Sequence, residues 1–288
     1  MSAQPAALQA APRAQGASVS RILIYTTLVL LAITFLVPVY VAIMTSLKST
    51  QEVATSSIWA FPENPSLDNF SNALDVLGPS FINSVLLSIP AVIISSILGS
   101  MNGYVLSKWK FNGSNLLFTF MLFGMFIPYQ SILIPLVQFV HSIGLYATIP
   151  GLVLVHVVYG IPITTLIFRN YYEGVPSELI ESGTVDGAGF FGIYRNIVFP
   201  LSVPAFVVVV IWQFTAVWNE FLFAVTLNSN PRSQPVTVAL AGLGASTAGT
   251  DYGLQMAGSL ITALPTLAVY IFLGRYFIRG LLAGSVKG

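Results

Sequence analysis

The amino-acid sequence predicts an all-α integral membrane protein of six transmembrane helices, with both termini in the cytoplasm. Three observations carry this. Only 7% of the 288 side chains are charged and 55% are hydrophobic. Soluble domains carry about 25% charged residues, and a water-facing surface cannot be covered with so few. Apolar runs recur at about the 20 residues that a bilayer core demands. Lysine and arginine fall almost wholly on one set of connections.

The elements follow in order. Residues 1–20, "MSAQPAALQAAPRAQGASVS", are polar and lack periodicity, so they read as a disordered cytoplasmic tail ahead of a membrane domain at 21–288. The first span, 22–47, has no charge in 26 residues. That is too long for a signal-peptide core of about 7–15 residues. The second span is 81–106. Phe111 to Phe168 contains no Asp, Glu, Lys or Arg, and "HSIGLYATIPG" (141–151) divides it into spans 114–139 and 150–168. The fifth span is 201–227 and the sixth 255–273.

With both tails inside, nine basic residues lie on the cytoplasmic side: Arg13, Arg21, Lys108, Lys110, Arg169, Arg195, Arg275, Arg279 and Lys287. Lys48 and Arg232 alone lie outside. Residues 169–200 therefore form a cytoplasmic loop. In the first outer loop, Leu67, Phe70, Leu74 and Leu77 recur at helical spacing behind Ser66, which predicts a short helix along the outer interface. The last outer loop, 228–253, is rich in glycine and small polar residues and reads as irregular and exposed.

Absences narrow the chemistry. No lysine follows a glycine, so there is no P-loop, and the chain is not expected to hydrolyse ATP or act as an enzyme. His141 and His156 stand apart from any cluster of carboxylates, and there is no cysteine for a disulfide, a thiolate or a metal cage. No serine sits in a nucleophile elbow. A net charge of +1 gives nucleic acid nothing to bind.

Glu220, in "WQFTAVWNEFLFAV", is the one charged residue inside the expected spans. An intramembrane carboxylate ordinarily faces a cavity or a partner. Gln213 precedes it by seven residues and shares its helix face, with Trp212 and Asn219 on the adjoining strip and Trp218 beside them. Indole faces, an amide and a carboxylate suit sugar rings; packing against another helix accounts for the same residues. Gly99 and Gly103 form a small-residue pair for close helix approach. Pro38, Pro90, Pro128, Pro162 and Pro265 predict kinks, and Pro128 and Pro135 flank "YQSILI", which either lines a cavity or merely bends the helix.

The most distinctive stretch is "ELIESGTVDGAGFFGIYRNIVFP" (178–200). Pro176 and Ser177 start a helix with Glu178 and Glu181 in its first turns, where the helix dipole favours acids. Asp186-Gly187 signals a turn, Phe190 to Phe199 forms a second segment, and Pro200 opens the next span. Leu179, Phe190, Phe191, Ile193 and Ile197 supply an apolar edge. Such a hairpin either docks on a partner or rests on lipid headgroups.

These residues resemble the cytoplasmic loop of ABC-importer permeases, whose pattern is Glu-Ala-Ala, then Asp-Gly-Ala, then Ile-x-Leu-Pro. The matches are Glu181-Ser182-Gly183, Asp186-Gly187-Ala188, and Ile197 with Phe199-Pro200. Ser-Gly stands for Ala-Ala and Phe for Leu, all small or apolar exchanges. "PVYVAIMTSLKS", "FINSVLLS", "VWNEFLFAV" and "GRYFIRGLLAGSVKG" extend the likeness to the maltose-type carbohydrate-uptake family, in particular its second permease subunit.

The resemblance implies a type I ABC-importer permease fold in a bacterial or archaeal cytoplasmic membrane. It implies a second permease subunit, two ATP-binding subunits that hold ATP and Mg²⁺, an extracytoplasmic solute-binding protein and a sugar. The chain itself would carry no cofactor. Glu181, Ser182, Gly183, Asp186, Gly187, Ala188, Ile197 and Pro200 would form the ATPase-coupling surface. Gln213, Trp218, Asn219 and Glu220 are the substrate-path candidates. The tail at Gly284 to Gly288 would reach toward the ATPase interface, and "DYGLQMAG" leans toward a monosaccharide such as glucose or mannose. The competing reading is a secondary transporter or channel without an ATPase. It would need ion-coupling carboxylates or an internal repeat. A membrane scaffold is a third class, and transport data separate them.

Overall fold

The computed structural model describes residues 19–109, 111–243, 245–246 and 249–285. The expected N-terminal tail up to residue 18, Lys110, and the tail end at 286–288 lie outside the described residues. The helices in order are α1 (Val19–Ser46), α2 (Thr50–Thr55), α3 (Asp68–Lys108), α4 (Ser114–Met125), α5 (Leu133–Ser142), α6 (Ile149–Glu173), α7 (Glu178–Val185), α8 (Phe190–Ile193), α9 (Phe199–Leu201), α10 (Val203–Trp218), α11 (Leu222–Leu227), α12 (Val236–Gly242) and α13 (Tyr252–Ser285). A 3₁₀ turn at Tyr129–Ile132 precedes α5, and a π turn at Tyr194–Val198 links α8 to α9. Two strands of two residues pair at Ala245–Ser246 and Gly249–Thr250.

α3 and α6 form the central pair. α10 and α13 pack on α3, α1 on α13, and α4 on α6. Four helices among the described residues, α1, α3, α6 and α13, are long and apolar enough to cross a membrane. Two bent pairs, Ser114–Met125 with Tyr129–Ser142 and Phe190–Leu201 with Val203–Trp218, turn by 89° and 76°. Counted as one span each, they bring the total to six.

The close approach expected at Gly99 and Gly103 is present. A Cβ on Gly103 would fall 2.7 Å from Phe168 Cβ and 2.8 Å from Arg169 N, and one on Gly99 would collide with Thr164. Thr164 Oγ1 donates to Ser95 O at 3.1 Å across this contact. Gly103→Val is therefore expected to destabilise the α3–α6 pair by about 1–3 kcal/mol, because the obstruction is backbone as well as side chain. A fall in the thermal unfolding midpoint of the purified protein checks it.

Four local expectations fail. The short interfacial helix is absent as a separate element: α3 runs unbroken for 41 residues. Nor is Ser66 its cap: the N-cap is Leu67, without a side-chain cap bond, and Ser66 Oγ accepts from Asp68 N at 3.0 Å in the turn before it. Pro79 does not end it, because Ala73 and Leu77 are buried with Trp218, Val236 and Ala257, and this packing outweighs one lost backbone bond. The third span is not one helix, since α4 stops at Met125 and the chain turns through "YQSILI". The fifth span stops at Trp218 and restarts at Leu222. The last outer loop is not simply irregular and exposed. α12 packs Val236 into the core, Leu243 just after it does the same, and Asn83 donates to the carbonyls of Arg232 and Gln234 at 3.0 and 3.1 Å.

Candidate functional site

The hairpin at 178–200 is built on a glycine turn. At the end of α7, Gly187 N–H donates to Thr184 O at 3.0 Å and Ala188 N–H to Gly183 O at 2.9 Å. These paired bonds make a Schellman cap, which needs a left-handed residue. Gly187 supplies it with φ of 81°. No atom lies within 4 Å of where its Cβ would be. At the other end of α7, Ser177 O accepts from Ile180 N and Glu181 N.

A buried underside fixes the hairpin to the bundle. Gly183 is buried, and a Cβ there would sit 2.8 Å from Ile197 Cδ1. Ile193 and Val198 join Tyr104 of α3, Phe168 and Tyr172 of α6, and Val209 of α10 in one core cluster. Phe190 lies between Tyr104 and Trp109, at ring distances of 5.1 and 5.5 Å. Tyr194 OH donates to Ser100 Oγ at 2.9 Å, and Ser100 Oγ meets Tyr172 OH at 2.6 Å. The π turn carries Tyr194 into this chain.

The eight residues expected to form the coupling surface thus divide. Glu181, Ser182, Asp186 and Gly187 are exposed around the turn. Gly183 is buried, and Ala188 and Ile197 are half-buried beneath it. Pro200 is exposed in α9, at the far end of the hairpin. Sequence reasoning missed Val185, an apolar side chain 86% exposed beside the turn. It also missed a cleft of about 420 Å³ between α7 and the end of α3, lined by Lys108, Trp109, Ile180, Glu181, Thr184 and Val185. The run "TVDG" placed Val185 next to the turn signal and was the available clue.

The four substrate-path candidates do not share one face. α10 ends at Trp218, so Glu220 leaves the face of Gln213. Gln213 is buried, donating to His156 O at 3.4 Å, with its amide against Gly160. Trp218 is buried; its Nε1 donates to Thr262 O at 3.0 Å and its ring contacts Phe81 and Phe214. That single donor is taken. Trp212 is exposed on the outside of the bundle. Asn219 is exposed, and its Nδ2 donates to Thr215 O at 2.9 Å. The Glu220 carboxylate accepts from Phe223 N at 2.9 Å and Ala224 N at 3.2 Å, capping α11. Its Oε2 lies 3.9 Å from His156 Nε2.

Residues 91–281 match the family model described as the binding-protein-dependent transport system inner membrane component. The chain belongs to this family of importer permeases. The permease is 40% identical over 269 residues to the xylose/arabinose import permease of Haloferax volcanii, covering 86% of this chain and 87% of that one. It is 30% identical to the glucose import system permease of Saccharolobus solfataricus, covering 92% and 95%. Its fold matches a chain of a bacterial ABC transporter that imports the acidic polysaccharide alginate. The TM-score is 0.79 at 20% identity, over 90% of this chain and 98% of that one.

In this permease the Glu220 cap joins the two halves of a broken helix. Glu220→Ala is expected to weaken α11 by about 1 kcal/mol, the usual worth of a helix cap. Glu220→Gln keeps one acceptor oxygen and should lose less. Faster hydrogen exchange at the Phe223 and Ala224 amides in the alanine variant checks this.

Proposed function

We propose that this chain is the transmembrane subunit of an ATP-driven, binding-protein-dependent sugar importer, forming the translocation path with a second permease. Its preferred cargo is a monosaccharide, a choice supported by the named sugars of the xylose/arabinose and glucose relatives. Both termini and the 169–200 hairpin face the cytoplasm, in keeping with the basic bias of those segments. Two ATPase subunits, which hold ATP and Mg²⁺, seat the hairpin, and an extracytoplasmic binding protein delivers the sugar.

One observation carries this reading: the hairpin is rigid beneath and bare above. Ile193, Ile197 and Val198 pack it against α3, α6 and α10, while Glu181, Val185, Asp186 and Gly187 are left outward around a glycine turn. A mixed acidic and apolar tip on a fixed base suits insertion into a cleft of another subunit. ATP closing the nucleotide-binding subunits would move the hairpin, and the bundle would open outward to receive sugar. Hydrolysis would reset it inward.

Gentle affinity purification of the tagged protein from native membranes, followed by mass spectrometry, tests the assembly. Recovery of an ATPase, a different permease and a binding protein is the expected result. Reproducible recovery without any ATPase would favour a self-sufficient transporter.

A further inference from the structure

A buried lysine stands where α1 ends. Lys48 is 2% exposed, although it directly follows a helix long and apolar enough to cross a membrane. Its Nζ donates to Ser56 Oγ at 3.0 Å and to Ser57 O at 2.8 Å. Both acceptors are neutral, and an ammonium has three protons to give. The acids on the neighbouring segments are engaged elsewhere. Glu52 Oε1 accepts from Glu63 N at 2.8 Å, and Asp251 accepts from Thr50 Oγ1 and Leu254 N, each at 3.0 Å. Among the described residues the ion pairs within 4 Å are His156 with Glu220 and Arg169 with Glu173, so none includes Lys48. A buried charge is costly without a counter-charge.

A cleft of about 310 Å³ opens beside this lysine, where α1, α2 and the start of α13 meet. Lys48, Thr45 and Ser56 stand in its wall with Val41, Tyr252 and Met256. Its deeper part is apolar: Val41 lies about two turns further into α1 than Lys48, and Met256 about one turn further into α13 than Tyr252. The surroundings mark a membrane surface. Ile58, Trp59 and Phe61, in the segment after α2, are exposed. Tyr40 OH donates to Trp59 O at 3.0 Å, and its ring meets Phe61 edge-on at 6.2 Å. Tyrosine and tryptophan gather at the headgroup level of bilayers. This surface is the one remote from the hairpin, because Asn69, at the opposite end of α3, bonds to the carbonyls of Ser46 and Lys48.

We propose that this cleft holds one anionic phospholipid, its phosphate at Lys48 and Ser56 and an acyl chain along Val41 and Met256. The headgroup supplies the counter-charge that the chain does not. A zwitterionic headgroup brings its own cation and compensates the lysine less. The polar groups and the apolar depth of one cleft match the two parts of such a lipid, and the exposed aromatics hold its mouth at headgroup level. Neither the sugar nor the ATPase enters the argument, so the inference stands apart from the importer reading.

The test uses the tagged protein purified from native membranes with whatever subunits accompany it. The sample is exchanged into mixed micelles of phosphatidylglycerol and phosphatidylcholine in equal amounts, and native mass spectrometry counts the lipids retained. Wild type should keep a phosphatidylglycerol that Lys48→Met loses, with occupancy about fivefold lower in the variant, the worth of one lysine beside a charged headgroup. Val41→Phe keeps the ammonium, fills the deep end of the cleft and should lose the same lipid. Equal phosphatidylglycerol on wild type and both variants would overturn the proposal. So would equal retention of phosphatidylcholine at the site, because the lysine charge would then select nothing. Should Lys48→Met fail to assemble, Val41→Phe decides, and an unchanged lipid count there overturns the proposal. A photo-crosslinking residue in place of Ile58 identifies the occupant directly. Transfer to phosphatidylglycerol is expected; capture of an accompanying subunit instead would overturn the lipid assignment.

Discussion

Gly187→Asp should leave the protein folded and all but stop transport-linked ATP hydrolysis. The folding half rests on the geometry of the turn. The left-handed conformation, φ of 81°, costs a typical side chain about 1–2 kcal/mol, and aspartate tolerates it better than most. A Cβ at this position meets nothing within 4 Å in the chain. The functional half follows from exposure. A carboxylate pressed unpaired into a partner's cleft costs several kcal/mol, enough for a fall of about a hundredfold or more. Gly187→Ala carries only the strain of the turn and should lose far less. Normal binding-protein-stimulated hydrolysis in the aspartate variant would count against the coupling role.

Trp218→Ala should remove most of the folded protein, at a cost of about 3–5 kcal/mol for a large aromatic in a packed core. Its ring is buried with Ala73, Leu77, Val236 and Ala257, so the loss would loosen α3, α12 and α13 together. Trp218→Phe keeps the aromatic contacts to Phe81 and Phe214 and forfeits only the bond to Thr262 O. It should fold in good yield and transport sugar normally per folded molecule. Thermal melting and size-exclusion of both variants separate the two effects. A Trp218→Phe protein that folds but takes up no sugar would return the residue to the substrate path.

The hairpin was legible because its signals are local. A helix start at Ser177, an Asp-Gly turn and small residues at 182 and 183 need no knowledge of distant contacts. The long spans were legible for the same reason, since hydropathy is a property of the run itself. The breaks were not. α10 could have continued through Asn219 and Glu220 on composition alone; it stops where Asn219 bonds back to Thr215 and Glu220 caps a new helix. The choice between those side-chain bonds and one more helical turn is made by tertiary surroundings. The continuation of α3 through Pro79 depends likewise on α12 and α13, which lie more than 150 positions away in the chain. Trp212 and Trp218 look interchangeable in sequence, yet one faces out and one is core.

The unbroken α3 has a mechanical meaning. At 41 residues and about 1.5 Å per residue, its length is about 60 Å, roughly twice a hydrocarbon core. One end carries Tyr104 and Trp109 against the hairpin, and the other carries Asn69, bonded to the carbonyls of Ser46 and Lys48. A continuous helix of that length, even with Pro79 and Pro90 inside it, would serve as a lever if it moved as one body. A tilt of about 5° about one end sweeps the other by about 5 Å, close to one helical turn. Motion imposed at the hairpin would then need no relay through side chains to reach the far face; the backbone of one helix would deliver it.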